Sequence, residues 1–203
     1  MKNQLAVPTF ELALAIAHEY NIQDEYLKPA TMPFVAMAKK AIDIDCNMDL
    51  RKSLEDSVGQ FFANDTILFR EDSELGDIQN KRLNNVIEYI NKLLNISLEP
   101  TETFFTKELS EQEIQKIKKF IQEQDIWKLI SIQQATINCK SSCLGISLIN
   151  KYIGIQECFE LARLEESYQI NQYGLVEGFH DIDENTLRLN LATARLFNDL
   201  INF

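Results

Sequence analysis

The sequence predicts a mainly α-helical protein with a small β component. Three observations carry that expectation. Six glycines and four prolines punctuate 203 residues, too few for the many turns of a sandwich. Apolar residues recur at helical spacing through most of the chain. Ser110 and Glu113 form a capping box in front of one such pattern. A chain of this length buries roughly 70% of its unfolded surface, enough to fold without a disulfide or metal staple.

Taken in order, Phe10, Leu12, Leu14, Ala15, Ile16 and Ala17 predict a helix that starts after Pro8 and ends near Asn21. Pro29 to Pro33 reads as a loop. Pro33 suits the first turn of a second helix carrying Phe34, Met37, Ala38, Ala41 and Ile42. The polar stretch Asp45 to Asn47 ends that helix and caps a third, with the stripe Leu50, Leu54, Val58, Phe61 and Phe62. Residues Thr66 to Arg70 are rich in β-formers and bounded by polar residues, which predicts a strand. Leu75 to Leu94 is helical, and Ile96 to Leu98 and Thr101 to Thr106 predict two further short strands. Beyond the capping box, Asp125 caps a buried helix expected to run to about Tyr152, where Gly154 breaks the pattern. Residues 155 to 173 form one more helix, closed by Gly174. Asp181 or Asp183 opens a last helix that runs to the C-terminus. The polar stretch 99–109 divides the chain into a reduced N-terminal α/β part, 1–105, and a C-terminal helical domain, 106–203.

The net charge of −11 repels a phosphate backbone, which argues against nucleic acid and against anionic membrane. No apolar run approaches the ~20 residues of a membrane span, so no membrane insertion is expected. The start of the chain does not read as a secretory signal, and Cys46, Cys139, Cys143 and Cys158 are therefore expected as reduced thiols. There is no Gly-rich phosphate loop, no nucleophile elbow and no HExxH, and His18 and His180 are the two imidazoles. Cys139 and Cys143, four apart on one predicted helix, read as small buried residues, since no further ligands stand at zinc-site spacing. No cofactor and no metal is expected. His180–Asp181 reads either as an acid–base pair or as a loop pair with Asp181 capping the last helix.

The 155–173 helix is the most unusual segment. Drawn as one helix, Glu160, Arg163, Ser167 and Asn171 gather on the solvent face. Glu165 and Gln169 then fall in the middle of an apolar arc that includes Cys158, Phe159, Leu161, Ala162, Leu164, Tyr168, Ile170 and Tyr173, with Glu166 within the same arc. A carboxylate in such surroundings costs several kcal/mol unless it is paired or faces a wet cleft. Two readings follow, an internal ion pair or an apolar groove lined with a few fixed acceptors.

Arg163-Leu164-Glu165-Glu166-Ser167-Tyr168-Gln169-Ile170, Tyr173-Gly174, Val176-Glu177 and His180-Asp181 closely resemble a family signature. Ala17-His18-Glu19-Tyr20, Pro29-Ala30-Thr31-Met32-Pro33 and Ala41-Ile42-Asp43 form a second matching block, and Asp65 to Arg70 with Gln79 a third. The family is the ATP synthase assembly chaperone that serves the α subunit of the catalytic sector. The resemblance implies a non-enzymatic protein that binds the unassembled α subunit and keeps it from aggregating until it joins β. It also implies a small N-terminal β-rich domain, a larger helical domain, and a functionally important glutamate at Glu165. With it, Glu166, Gln169, Tyr173, Tyr168, His180 and Asp181 are the expected partner-binding residues. The alternative is a small hydrolase or metal-dependent enzyme using Glu165, Glu166 and His180–Asp181. The chain departs from the family pattern where Tyr20, Leu83, Tyr89 and Tyr173 replace tryptophan, where Asn84–Asn85 replaces Asp–Pro, and where a β-hairpin region before Val7–Pro8 is missing. The expected compartment is a bacterial cytoplasm, or the mitochondrial matrix in a eukaryote.

Overall fold

Several helix starts in this chain are set by side-chain caps, and one is satisfied from another helix. The computed structural model describes residues 4–174 and 180–203. Thr9 caps α1 (Phe10–Asn21) by accepting the Leu12 N–H. The same hydroxyl donates to the Leu200 carbonyl, which ties the start of the described chain to its end. Helix α2 (Pro33–Asp45) begins on Pro33 and has no cap of its own. Its first N–H groups, from Phe34 and Val35, instead donate to the buried carboxylate of Glu19 on α1, both at 2.8 Å. A negative group at a helix N-terminus satisfies orphan donors and meets the helix dipole. Asn47 caps α3 (Met48–Gly59), and α4 (Glu74–Leu94) ends on the left-handed Asn95. The capping box of Ser110 and Glu113 opens α5 (Glu111–Gln122), and Asp125 opens α6 (Ile126–Cys139), as the sequence predicts.

Two helix expectations are corrected. The buried helix expected from Asp125 to Tyr152 is two helices, α6 and α7 (Ser142–Ile149). Lys140 adopts φ 54°, and Ser141 then caps α7 by accepting the Leu144 N–H. The 155–173 helix is also two, α8 (Ile155–Ala162) and α9 (Leu164–Tyr173), separated at Arg163. Gly174, at φ +89°, ends α9 in the left-handed region that favours glycine. The last helix, α10, spans His180–Leu200.

The small β component is not present among the described residues. Thr66–Leu68 is a 3₁₀ turn capped by Asp65, and only Phe69 pairs, through a single parallel bridge to Thr101. The backbone of Leu98 is claimed by the Asn91 side chain, through N–H and C=O bonds of 2.7 and 2.9 Å. The Ser97 N–H goes to Glu113 at 2.8 Å. Past Thr101 the threonine hydroxyls fold the segment on itself, Thr103 N–H donating to Thr101 and the Thr103 hydroxyl to the Phe105 carbonyl. With these donors and acceptors satisfied locally, no strand ladder extends.

The core is built around α6 and α7. Every residue of α7 is buried, and α6 packs against α2, α3, α7 and α10. One apolar cluster runs from Leu12 on α1 to Phe197 on α10. Helices α6 and α7 meet at Gly145, where an added Cβ would stand 2.5 Å from the Thr136 hydroxyl and 2.7 Å from its backbone nitrogen. Gly145→Ala is accordingly expected to force the pair apart and lower stability by about 2 kcal/mol, read as a lower thermal midpoint without loss of helical circular dichroism. At α5, the Ser110 hydroxyl and backbone hold the Glu113 carboxyl at about 2, well below its ordinary 4.5. The depressed value means the cap is intact above pH 4.5 and is lost as pH falls toward 2. Amide exchange in the first turn of α5 is expected to quicken over that interval.

Candidate functional site

Two of the sequence blocks singled out above meet in space. Gln79, on α4, is buried. Its side-chain oxygen accepts the Glu71 N–H at 2.9 Å, which fixes the amide orientation. Its Nε2 then donates to Glu165 Oε1 on α9 at 2.8 Å, across 86 residues of sequence. Beside it lies Arg70, 6% exposed. The guanidinium donates to the carbonyls of Ile67 and Phe69 and to the side chains of Asn80 and Asn84. Burial pulls the Arg70 value down, and the nearby negative charge of Glu165 acts against that pull. Asn84, where the family pattern has aspartate, is thus a neutral partner for this cation.

The structure corrects the placement of Glu165 and Gln169 in an apolar arc. Both are exposed, and α9 has no buried residue. The break at Arg163 is the reason, because a wheel drawn through 155–173 loses its register there. Arg163 itself, expected on the solvent face, is 7% exposed. It forms a two-bond ion pair with Glu166, both contacts at 2.9 Å, and a 2.8 Å pair with Glu184 on α10. The Glu166 bond is the main influence holding the Arg163 charge, raising its value. Arg188 and Arg163 also lie over the Phe159 ring, at 3.8 and 5.4 Å. One buried cation therefore joins α8, α9 and α10.

What α9 presents outward is a ridge. Glu165, Gln169 and Tyr173 stand at i, i+4 and i+8 on one face, all exposed, with Tyr173 at 88%. Tyr168 and Glu166 are half-buried. His180 and Asp181 lie in the first turn of α10, and their side chains are outside the described residues, as are Val176 and Glu177. The two carboxylates of the enzyme alternative point to different partners, Glu165 to Gln79 and Glu166 to Arg163. Among the described residues no group of three histidine, cysteine or acidic side chains is placed to hold a metal. Also among them, no helix is long and apolar enough to cross a membrane. A groove of about 1380 Å³ lies elsewhere, between α3 and α5, with no residue of α8, α9 or α10 in its lining.

Sequence reasoning missed Asp65, Arg70 and Gln79 as a supporting shell. Their signal was available, since Asp65 to Arg70 and Gln79 form one of the matching blocks. Of the tryptophan replacements, Leu83 is core, Tyr89 stacks on Tyr152 with centroids 3.9 Å apart, and Tyr173 is on the ridge.

The model of the ATP12 chaperone protein family matches residues 1–91. That span holds the blocks around Glu19, Asp65–Arg70 and Gln79, and not the block around Glu165. A mitochondrial atp12 protein of Schizosaccharomyces pombe is 22% identical over 200 residues, covering 94% of this chain and 69% of the relative. The crystal structure of Atp12 from Paracoccus denitrificans superposes with a TM-score of 0.89 at 22% identity, covering 98% of this chain and 85% of the other. A second bacterial structure, from Agrobacterium tumefaciens, gives a TM-score of 0.85 at 20% identity, over 98% and 74% of the two chains. This chain is therefore similar to the ATP12 chaperone family over its first 91 residues, to a mitochondrial atp12 protein over 94% of its length, and to Atp12 in fold over 98%.

Proposed function

We propose that this protein is an assembly chaperone for the catalytic sector of ATP synthase, and that it binds the unassembled α subunit before that subunit joins β. The observation that carries the reading is the Gln79–Glu165 bond. It pre-sets an exposed carboxylate on the outward face of α9, using a residue from a different sequence block. A fixed, solvent-facing acceptor of this kind suits recognition of basic or amide groups on a client polypeptide, and sets register more than affinity. Gln169 and Tyr173 extend the contact along the ridge, and Tyr supplies flat area with a polar tip. Glu166, Tyr168, His180 and Asp181 complete the proposed surface. The α-subunit surface covered would be one that later faces β, so that β displaces the chaperone by competition. The compartment proposed is a bacterial cytoplasm, or the mitochondrial matrix if the chain is eukaryotic. Chaperoning is tested by light scattering of isolated α subunit. An equimolar amount of this protein is expected to suppress aggregation, and a Gln79→Leu variant, whose Glu165 loses its partner, to suppress it less. Scattering that is unchanged by the wild-type protein would sink the proposal.

A further inference from the structure

Four cysteines are present, and the fold treats them differently. Cys46 is exposed at the end of α2. Cys143, on α7, is buried and faces Asp65. Cys139, the last residue of α6, and Cys158, in the middle of α8, are both buried, with their sulfurs 3.6 Å apart across 19 residues of sequence. We propose that Cys139 and Cys158 are an oxidisable dithiol that closes into an intramolecular disulfide joining α6 to α8.

The sulfurs already stand within 3.6 Å of each other. A disulfide needs them at about 2.05 Å, so about 1.5 Å must be gained by side-chain rotation and local adjustment of the chain. Cys139 sits where α6 gives way to the left-handed Lys140 and the extended Ser141, so the chain on one side of the bond is not locked in a helix. Cys139 and Cys143 are both buried, as the sequence predicts, but not as neighbours on one helix. The break at Lys140 puts those two on different helices and brings Cys139 against Cys158 instead.

The reaction is ordinary thiol–disulfide exchange with a low-molecular-weight disulfide as the oxidant. Cys139, the slightly more accessible of the two at 4% exposure, loses its proton and attacks one sulfur of the small disulfide, expelling one small thiolate. Cys158 then loses its proton, attacks the Cys139 sulfur and expels the second. Two protein thiols become one disulfide, and one small disulfide becomes two thiols. The Cys158 contact and burial keep Cys139 a neutral thiol, so the first step awaits a local opening and is slow. The product ties α6 to the helix that leads into Arg163, the break from which α9 departs.

The test uses the folded full chain carrying Cys46→Ser, incubated with excess oxidised glutathione and then unfolded, alkylated and digested. The expected result is loss of two alkylation sites, a linked Cys139–Cys158 peptide, and a thermal midpoint raised by roughly 10 °C for a loop of this length. The gain should be absent after dithiothreitol and in a Cys158→Ala variant. If that variant does not fold, the peptide map of the Cys46→Ser protein stands alone as the readout. Full alkylation after prolonged oxidation, a stable glutathione adduct without a crosslink, or a crosslink mapping to Cys143 would each overturn the proposal.

Discussion

Asp65→Ala is expected to be the most damaging single substitution in this protein, lowering stability by about 3 kcal/mol and the thermal midpoint by roughly 10 °C. Asp65 is fully buried. One carboxylate oxygen accepts the Ile67 N–H at 3.3 Å and so caps the 3₁₀ turn that precedes Arg70. The other accepts the Cys143 N–H in the first turn of α7, at 3.0 Å. Ser141 adds a side-chain bond. Alanine leaves these donors buried without partners, each costing about 1–3 kcal/mol, partly offset by removing a desolvated charge. A substitution far from α9 would thereby loosen the shell behind Glu165, because the turn holding Arg70 hangs on Asp65. Burial raises the Asp65 value above its ordinary 3.8 despite the opposing hydrogen bonds. A raised folded value means the titration-linked contribution is fully present below pH 3.8 and is lost as pH rises through the raised value. The stability gap between wild type and Asp65→Ala should therefore be widest below pH 3.8 and narrow as pH rises above it. Urea unfolding of both proteins across that range measures it.

Glu165→Ala is expected to produce the largest functional effect with a small structural one. Glu165 is exposed and, among the described residues, its direct bond is to Gln79, so its loss should cost about 1 kcal/mol of stability. A charge-assisted bond to a client is worth about 1.5–3 kcal/mol, so affinity for the α subunit should fall roughly 10- to 100-fold. Glu165→Gln should lie between the two, keeping an acceptor and losing the charge. Equilibrium binding of labelled α subunit to the three proteins checks this ordering, and their unfolding curves check that the fold is retained.

The contrast between the two residues marks what could be read from the sequence. Helix starts were legible at Asn47, Ser110 and Asp125, because a short polar side chain before an apolar repeat caps locally. The breaks at Lys140 and Arg163 were not, since neither carries a glycine or proline. Arg163 interrupts its helix where its guanidinium turns in to Glu166 and Glu184, and Glu184 lies 21 residues onward. The run Thr66 to Arg70 has the composition of a strand, and loses that conformation to an aspartate cap and a buried arginine that binds its own turn. Glu165 is singled out by likeness alone, and the helical wheel places it among the wrong neighbours. Its actual surroundings depend on Gln79, a contact no local pattern encodes.

The central claim is that the α9 ridge, set by Gln79, receives the unassembled α subunit. Its most direct test is co-purification: affinity-tagged wild-type and Glu165→Ala proteins are each mixed with α subunit freed from its β partners. The wild-type protein should retain α, release it when β is added, and outperform the variant by at least tenfold. Equal retention by both proteins, with each folded, would contradict the assignment of Glu165 as a client contact, and no retention by either would contradict the chaperone reading itself.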